Sequence, residues 1–175
     1  MFFDEFGFSF LETPGRTWAP RGKRPVLQRV TRDRRALSTA VGLTLSGKIC
    51  KHHFDGSMNS ADVIKAVQHV QRHLPGRFIL IWDRARIHTS QATDAYWAAH
   101  PEILVEWLPT YAPQLNPEEY CHGNVKQRLK SATPANKPEM RQLLNRGFAR
   151  LRRRPDMLLS FVHLAGLSVR RLWLT

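Results

Sequence analysis

At 175 residues, 42% of them hydrophobic, the chain is long enough for one domain with a substantial core and too apolar to be disordered. Twenty-seven Lys and Arg against fourteen Asp and Glu leave a net charge of +13, which points to a polyanionic partner, nucleic acid ahead of a membrane surface. Cys50 and Cys121 stand apart without metal-ligand spacing, no apolar run reaches the ~18 residues of a membrane span, and the Phe-rich start lacks the basic region of a signal peptide, so a soluble cytoplasmic protein is expected.

The first ten residues, MFFDEFGFSF, read as a strand in which Phe2, Asp4, Phe6, Phe8 and Phe10 share one face. A carboxylate on an apolar face is out of place without a partner. Glu5, of opposite parity, reads as a mere neighbour. The turn-rich stretch TPGRTWAPRGKRP follows, and residues 16–35 hold eight Lys and Arg against the single acid Asp33. Such a run is either a solvated loop or a loop that faces nucleic acid. ALSTAVGLTLSGKICKHHF reads as two strands joined at Ser46-Gly47, so three antiparallel strands open the fold.

NSADVIKAVQHVQRHLPG is a helix by period: Val63, Ile64, Val67, Val70 and Leu74 form one stripe, Asn59 or Ser60 can cap its start, and Pro75-Gly76 ends it. The continuous apolar run of RFILIWD predicts a strand covered on both faces, with a parallel neighbour because a helix leads into it. TSQATDAYWAAH is a second helix and EILVEWLP a further strand. After the loop PTYAPQLNP, EEYCHGNVKQRLK is a helix with Leu115, Val125 and Leu129 on one side and Glu119, His122 and Lys126 on another. Two last helices are expected near 137–153 and 156–165. This order predicts a single α/β domain over residues 1–175 with a mixed sheet.

Three separate elements then offer carboxylates: Asp4, Asp83, and Glu118 or Glu119. Carboxylates gathered in space resist ionising together unless a cation neutralises them. Mg²⁺ takes oxygen ligands, and a pair of such ions can activate an attacking hydroxyl and stabilise a leaving oxygen. Each acid also has an ordinary reading, Asp83 as a turn residue and Glu118-Glu119 as acids at a helix N-terminus. Composition and spacing by themselves stop at metal-assisted phosphoryl chemistry on nucleic acid.

The ordered set FFDEFGF, RTWAPRGKRP, FILIWDRARIH and LPTYAPQLNPEEYCHGNVK resembles the catalytic domain of DDE superfamily transposases, in particular the bacterial insertion-sequence relatives of mariner elements. It spans at least residues 1–130. The resemblance implies an RNase H-like fold, a mixed five-stranded sheet with its first three strands antiparallel, flanked by helices. It implies metal-dependent cleavage at element ends and strand transfer into target DNA, with two Mg²⁺ or Mn²⁺ ions held by Asp4, Asp83 and Glu119. Glu119 matches the third acid as the second residue after Pro117, while Glu118 takes a position more often apolar in relatives. His88, Asn116 and Lys126 match recurrent auxiliary positions. Each also has a plain reading: a cap for the next helix, a turn residue before Pro117, a surface lysine.

Two positions depart from the pattern: Arg84 follows Asp83, and His122 stands where relatives usually carry Trp. Relatives also place a helix-turn-helix DNA-binding domain before the catalytic domain, whereas Met1 lies three residues from Asp4. A fragment, half of a split reading frame or an orphan catalytic domain is therefore expected, with an upstream helix-turn-helix polypeptide as a possible partner and a homodimer in the synaptic complex. Arg16, Arg21, Lys23 and Arg24 in the basic loop, and Arg146, Arg150 and Arg153 on one helical face, are the candidate DNA-backbone contacts. The alternatives are an RNase H-like nuclease that does not join strands, and a copy that only binds DNA.

Overall fold

A computed structural model describes residues 1–10, 16, 18–26, 28 and 37–169, so most of the second half of the basic loop and the tail from 170 onward lie outside the described residues. The periodicities become strands β1 (Phe2–Phe8), β2 (Leu37–Leu43), β3 (Ile49–Asp55), β4 (Phe78–Trp82) and β5 (Ile103–Trp107). The helices are α1 (Ser60–His73), α2 (Gln91–Ala99), α3 (Pro117–Leu129), α4 (Lys137–Arg152) and α5 (Pro155–Leu164), with a 3₁₀ turn at Pro113–Leu115. The sheet runs β3-β2-β1-β4-β5. β1, β2 and β3 pair antiparallel, and β4 runs parallel to both β1 and β5. The crossover through α1 is what makes that parallel pairing possible. Among the described residues, no helix is long and apolar enough to cross a membrane.

Local chemistry sets the element ends. The hairpin between β2 and β3 turns at Gly47, whose φ of 78° favours glycine, with the Gly47 N–H donating to the Thr44 carbonyl. Asn59 caps α1: its side chain accepts from the Asp62 N–H, and Asp62 accepts in return from the Asn59 N–H. Ser90, Asn116 and Asn136 cap α2, α3 and α4.

The two sheet faces carry separate cores. Phe6, Phe8, Leu43 and Ile49 face Val125, Leu144, Phe148, Leu158 and Val162 of α3, α4 and α5. On the other face Phe3, Ala40, Leu80, Trp82 and Ile103 pack with Val63, Val67 and Val70 of α1. Phe3 meets Trp82 edge to face at 4.9 Å.

β4 departs from its expectation, since Ile79 is 47% exposed and its register partner Leu104 is 55% exposed. Among the described residues, α3 and α4 pack on β1, β2 and β3, and Ile79 and Leu104 on that face of β4 and β5 stay exposed. An unbroken apolar run therefore marked two deeply buried side chains, Leu80 and Trp82, and an outward one, Ile79. Leu80→Ala should cost about 2–5 kcal/mol of unfolding free energy, whereas Ile79→Thr should stay within about 0.5 kcal/mol. Urea titration of both variants checks the contrast. Leu115 also departs: it lies in the 3₁₀ turn, 37% exposed, because α3 begins only at Pro117, and Val125 and Leu129 meet the core without it.

Candidate active site

Asp4 sits mid-β1 on the face that turns toward α3, and its parallel neighbour β4 ends at Trp82, so Asp83 emerges nearby at the strand's C-terminal end. Asn116 places the third element. It is buried, its Nδ2 donates to the Phe3 carbonyl at 3.1 Å, and its Oδ1 accepts from the Glu118 N–H at 3.1 Å. That pair of bonds pins the start of α3 against β1 one residue from Asp4. Asp4, Asp83 and Glu119 consequently line one cleft of ≈ 440 Å³, rimmed by Arg84 and the loop from Leu108 to Pro113.

One ligand atom each from Asp4, Glu119 and His122 lies within 4.8 Å of the others. Burial, then the charges of Glu119 and Glu5, push the Asp4 pKa up to about 8. Its one local compensation is the Glu5 N–H, which donates to Asp4 Oδ1 at 2.8 Å. A buried carboxyl set beside other acids favours a bound cation, and the oxygen-rich donor set suits a hard divalent ion. Asp83 is held differently. Its carboxylate takes the Ala85 N–H at 3.1 Å and the His88 ring at 2.6 Å, and the bond from His88 keeps its pKa below the usual value.

His88 is buried and joins two acids. Nδ1 lies 2.6 Å from Asp83 Oδ1, Nε2 lies 2.8 Å from Glu5 Oε2, and the ring packs on Trp82 at 3.8 Å. Burial works against its charge, but the hydrogen bonds to Asp83 and Glu5 outweigh it and raise the pKa to about 9. An imidazolium is thus built between them. Glu5 is accordingly no mere neighbour: the face of β1 opposite Asp4 is also covered, and burial raises the Glu5 pKa despite His88. Nothing near Glu5 in the sequence announced this, because its partner is 83 residues away.

α3 brings a second pair. Glu118 is fully buried; burial, then Asp4, raises its pKa well above the carboxylate range. Its Oε2 lies 2.8 Å from His122 Nδ1, while His122 Nε2 lies 3.0 Å from Glu119 Oε2. The His122 ring stacks on Phe6 at 4.8 Å, and Lys126 lies over the same Phe6 ring at 5.4 Å.

The basic residues divide. Arg16, Arg21, Lys23 and Arg24 are exposed, beside a fully exposed Trp18. Arg146 is exposed on α4 and Arg153 at its C-cap, but Arg150 donates to Asn124 of α3 and Arg154 pairs with Asp156. The expected arginine face is therefore not a free stripe: the packing of α4 on α3 takes Arg150 into a helix–helix contact.

The model of the DDE superfamily endonuclease family matches residues 1–141. No curated protein sequence matches the chain. Among solved structures, the Mos1 strand transfer complex is similar at a TM-score of 0.64 and 19% identity, covering 96% of this chain and 55% of that one. The Mos1 transposase catalytic domain with Raltegravir and Mg is similar at 0.54 and 20%, covering 78% of each. A simian T-cell lymphotropic virus intasome is similar at 0.53 and 19%, covering 77% and 53%. This chain thus spans little more than half of the Mos1 chain in the strand transfer complex. At these identities the likeness is one of fold, the RNase H-like fold of transposases and integrases. With the family model covering most of its length, the chain belongs to the DDE superfamily endonucleases.

Proposed function

We propose that this chain is the catalytic domain of a DNA transposase, cutting phosphodiesters at element ends and joining them to target DNA. The observation that carries the reading is the convergence of Asp4, Asp83 and Glu119 on one cleft, where burial and then the neighbouring acids keep Asp4 from ionising readily. Within a DDE endonuclease family, those three would hold Mg²⁺ or Mn²⁺, two ions in the full site. Such ions supply activation of the attacking hydroxyl and stabilisation of the leaving oxygen.

The chain's own residues do the rest. His88 fixes the Asp83 carboxylate, and Glu5 keeps His88 charged and oriented. Asn116 holds the α3 start, and with it Glu119, beside Asp4. The exposed Arg16, Arg21, Lys23, Arg24, Arg146 and Arg153 would meet DNA phosphates, with Lys126 nearer the cleft; affinity would then fall steeply with salt. Mos1 has been solved as paired-end complexes with a transposon end, and a homodimer on element-end DNA is the matching assembly here.

The test is nicking and strand transfer on labelled DNA with Mg²⁺ or Mn²⁺, the parent beside Asp83→Ala. Metal-dependent new joints, lost in the variant by about 10³-fold or more, are expected. Nicks without joints would favour a nuclease of the same fold. Salt-sensitive binding with no cleavage would leave a DNA-binding copy. A variant that cuts as well as the parent would overturn the assigned site.

A further inference from the structure

The metal centre proposed above has one donor that a purely carboxylate site lacks. His122 lies one α3 turn beyond Glu118 and Glu119, and its two ring nitrogens face different acids. Nδ1 is 2.8 Å from the Oε2 of buried Glu118, and Nε2 is 3.0 Å from the Oε2 of Glu119. The ring is held flat against Phe6, 28° from parallel, so its freedom to turn away is small. Metal-binding histidines characteristically use one nitrogen as ligand while the other donates to a carboxylate that fixes tautomer and orientation. Glu118 stands in that supporting place.

Buried Glu118 is otherwise hard to account for. It is fully buried, and its Oε1 has no hydrogen-bond partner among the described residues. Its Oε2, 2.8 Å from Nδ1, is placed to hold the Nδ1 proton of a ligating His122. Ligands on a hard divalent ion at about 2.0–2.2 Å sit at most about 4.4 Å apart. The 4.8 Å span of Asp4, Glu119 and His122 closes to that with shifts of a few tenths of an ångström.

We propose that His122 Nε2 is a metal ligand beside Asp4 and Glu119, supported by Glu118, and that this nitrogen makes the site prefer transition-metal divalent ions such as Mn²⁺ over Mg²⁺. The basis is donor chemistry: imidazole binds first-row transition ions well, whereas Mg²⁺ favours oxygen and gives up water reluctantly. The inference rests on the transposase reading only for the presence of a metal in this cleft.

The experiment is electron spin-echo spectroscopy of the full chain with Mn²⁺ alone, paired with calorimetric binding of Mn²⁺ and Mg²⁺. The parent should give nitrogen modulation from a coordinated imidazole. His122→Phe, which keeps the ring contact with Phe6, should lose that modulation and lower the Mn²⁺-to-Mg²⁺ affinity ratio by about tenfold or more. Glu118→Gln leaves an acceptor for the Nδ1 proton and should retain the modulation, and circular dichroism reports whether each variant is folded. Bound Mn²⁺ without nitrogen modulation in the parent, or no Mn²⁺ binding at all, overturns the proposal. Nitrogen modulation in a protein that neither nicks nor joins DNA would sink the transposase reading and leave this one standing. DNA joining that depends on Asp83, without nitrogen modulation, would do the reverse.

Discussion

Asp4→Asn should abolish metal-dependent DNA cleavage and at the same time make the metal-free protein more stable at pH 8. On the proposed function, the loss of activity, on the order of 10³-fold or more, follows from removing one of the carboxylates that would hold the metal. The gain in stability follows from linkage. The Asp4 pKa is raised to about 8 in the fold, by burial and then by Glu119 and Glu5, from an ordinary value of 3.8. A group raised in this way favours the fold fully below its unfolded pKa, and that contribution drains away as pH rises through the folded value. Between about pH 4 and 8 the metal-free parent should therefore lose stability, and Asn, which never ionises, should not. Thermal melts at pH 5 and pH 8, with and without Mn²⁺, check this. The variant should melt at least ~2–4 °C above the parent at pH 8 without metal, the equivalent of about 1 kcal/mol in a chain of this size. At pH 5, near the start of that window, the gap should be clearly smaller than at pH 8, and Mn²⁺ should stabilise the parent more than the variant. Equal melting points at pH 8 would mean that Asp4 carries no such electrostatic load.

His88→Ala should be among the most destabilising single changes in the chain, about 3–5 kcal/mol. It strips Glu5 of its one buried cation, and breaking a buried ion pair from one side costs far more than the pair contributes net. Glu5 Oε1 already lacks a partner among the described residues, so no spare donor takes over. The His88 pKa is raised to about 9 against an ordinary 6.5. Its stabilisation is thus complete below pH 6.5 and lost as pH climbs through 9, so the penalty for His88→Ala should shrink between those limits. Glu5→Gln in the same background should recover part of the loss, because an amide tolerates burial without a counter-ion. Denaturant unfolding of the two single variants and the double variant gives the coupling energy directly. Additive effects would mean that the Glu5–His88 contact has no energetic weight. His88→Ala should also slow cleavage by releasing Asp83, even at temperatures where the variant is folded.

Much of this architecture was legible in the chain because it rests on local rules. The alternation of MFFDEFGFSF assigned Asp4 to the face shared with Phe6 and Phe8, and those two phenylalanines do meet the α3–α5 core. The 3.6-residue stripe of Val63, Val67 and Val70, bounded by Asn59 and Pro75, set α1 almost to the residue. Phe78–Trp82 was readable as a strand with a parallel neighbour, and the order of elements was enough for a mixed sheet. The family motifs could be found in the linear text because they too are short strings.

Other features could not be read there, since they depend on which surfaces meet. Whether a strand is covered on one face or two depends on where distant helices stop, so Ile79 gave no local sign of its exposure. The arginines of α4 looked equivalent by spacing, yet packing on α3 engages Arg150 and leaves Arg146 at the surface. Glu5 acquires its meaning from a histidine 83 residues away, and Glu118 from the depth at which Asn116 seats α3 against β1. Periodicity and capping act over one or two turns and are written in the sequence. Burial, which decides whether an acid is an ordinary surface charge or a group pushed up toward neutrality, is a property of the closed fold.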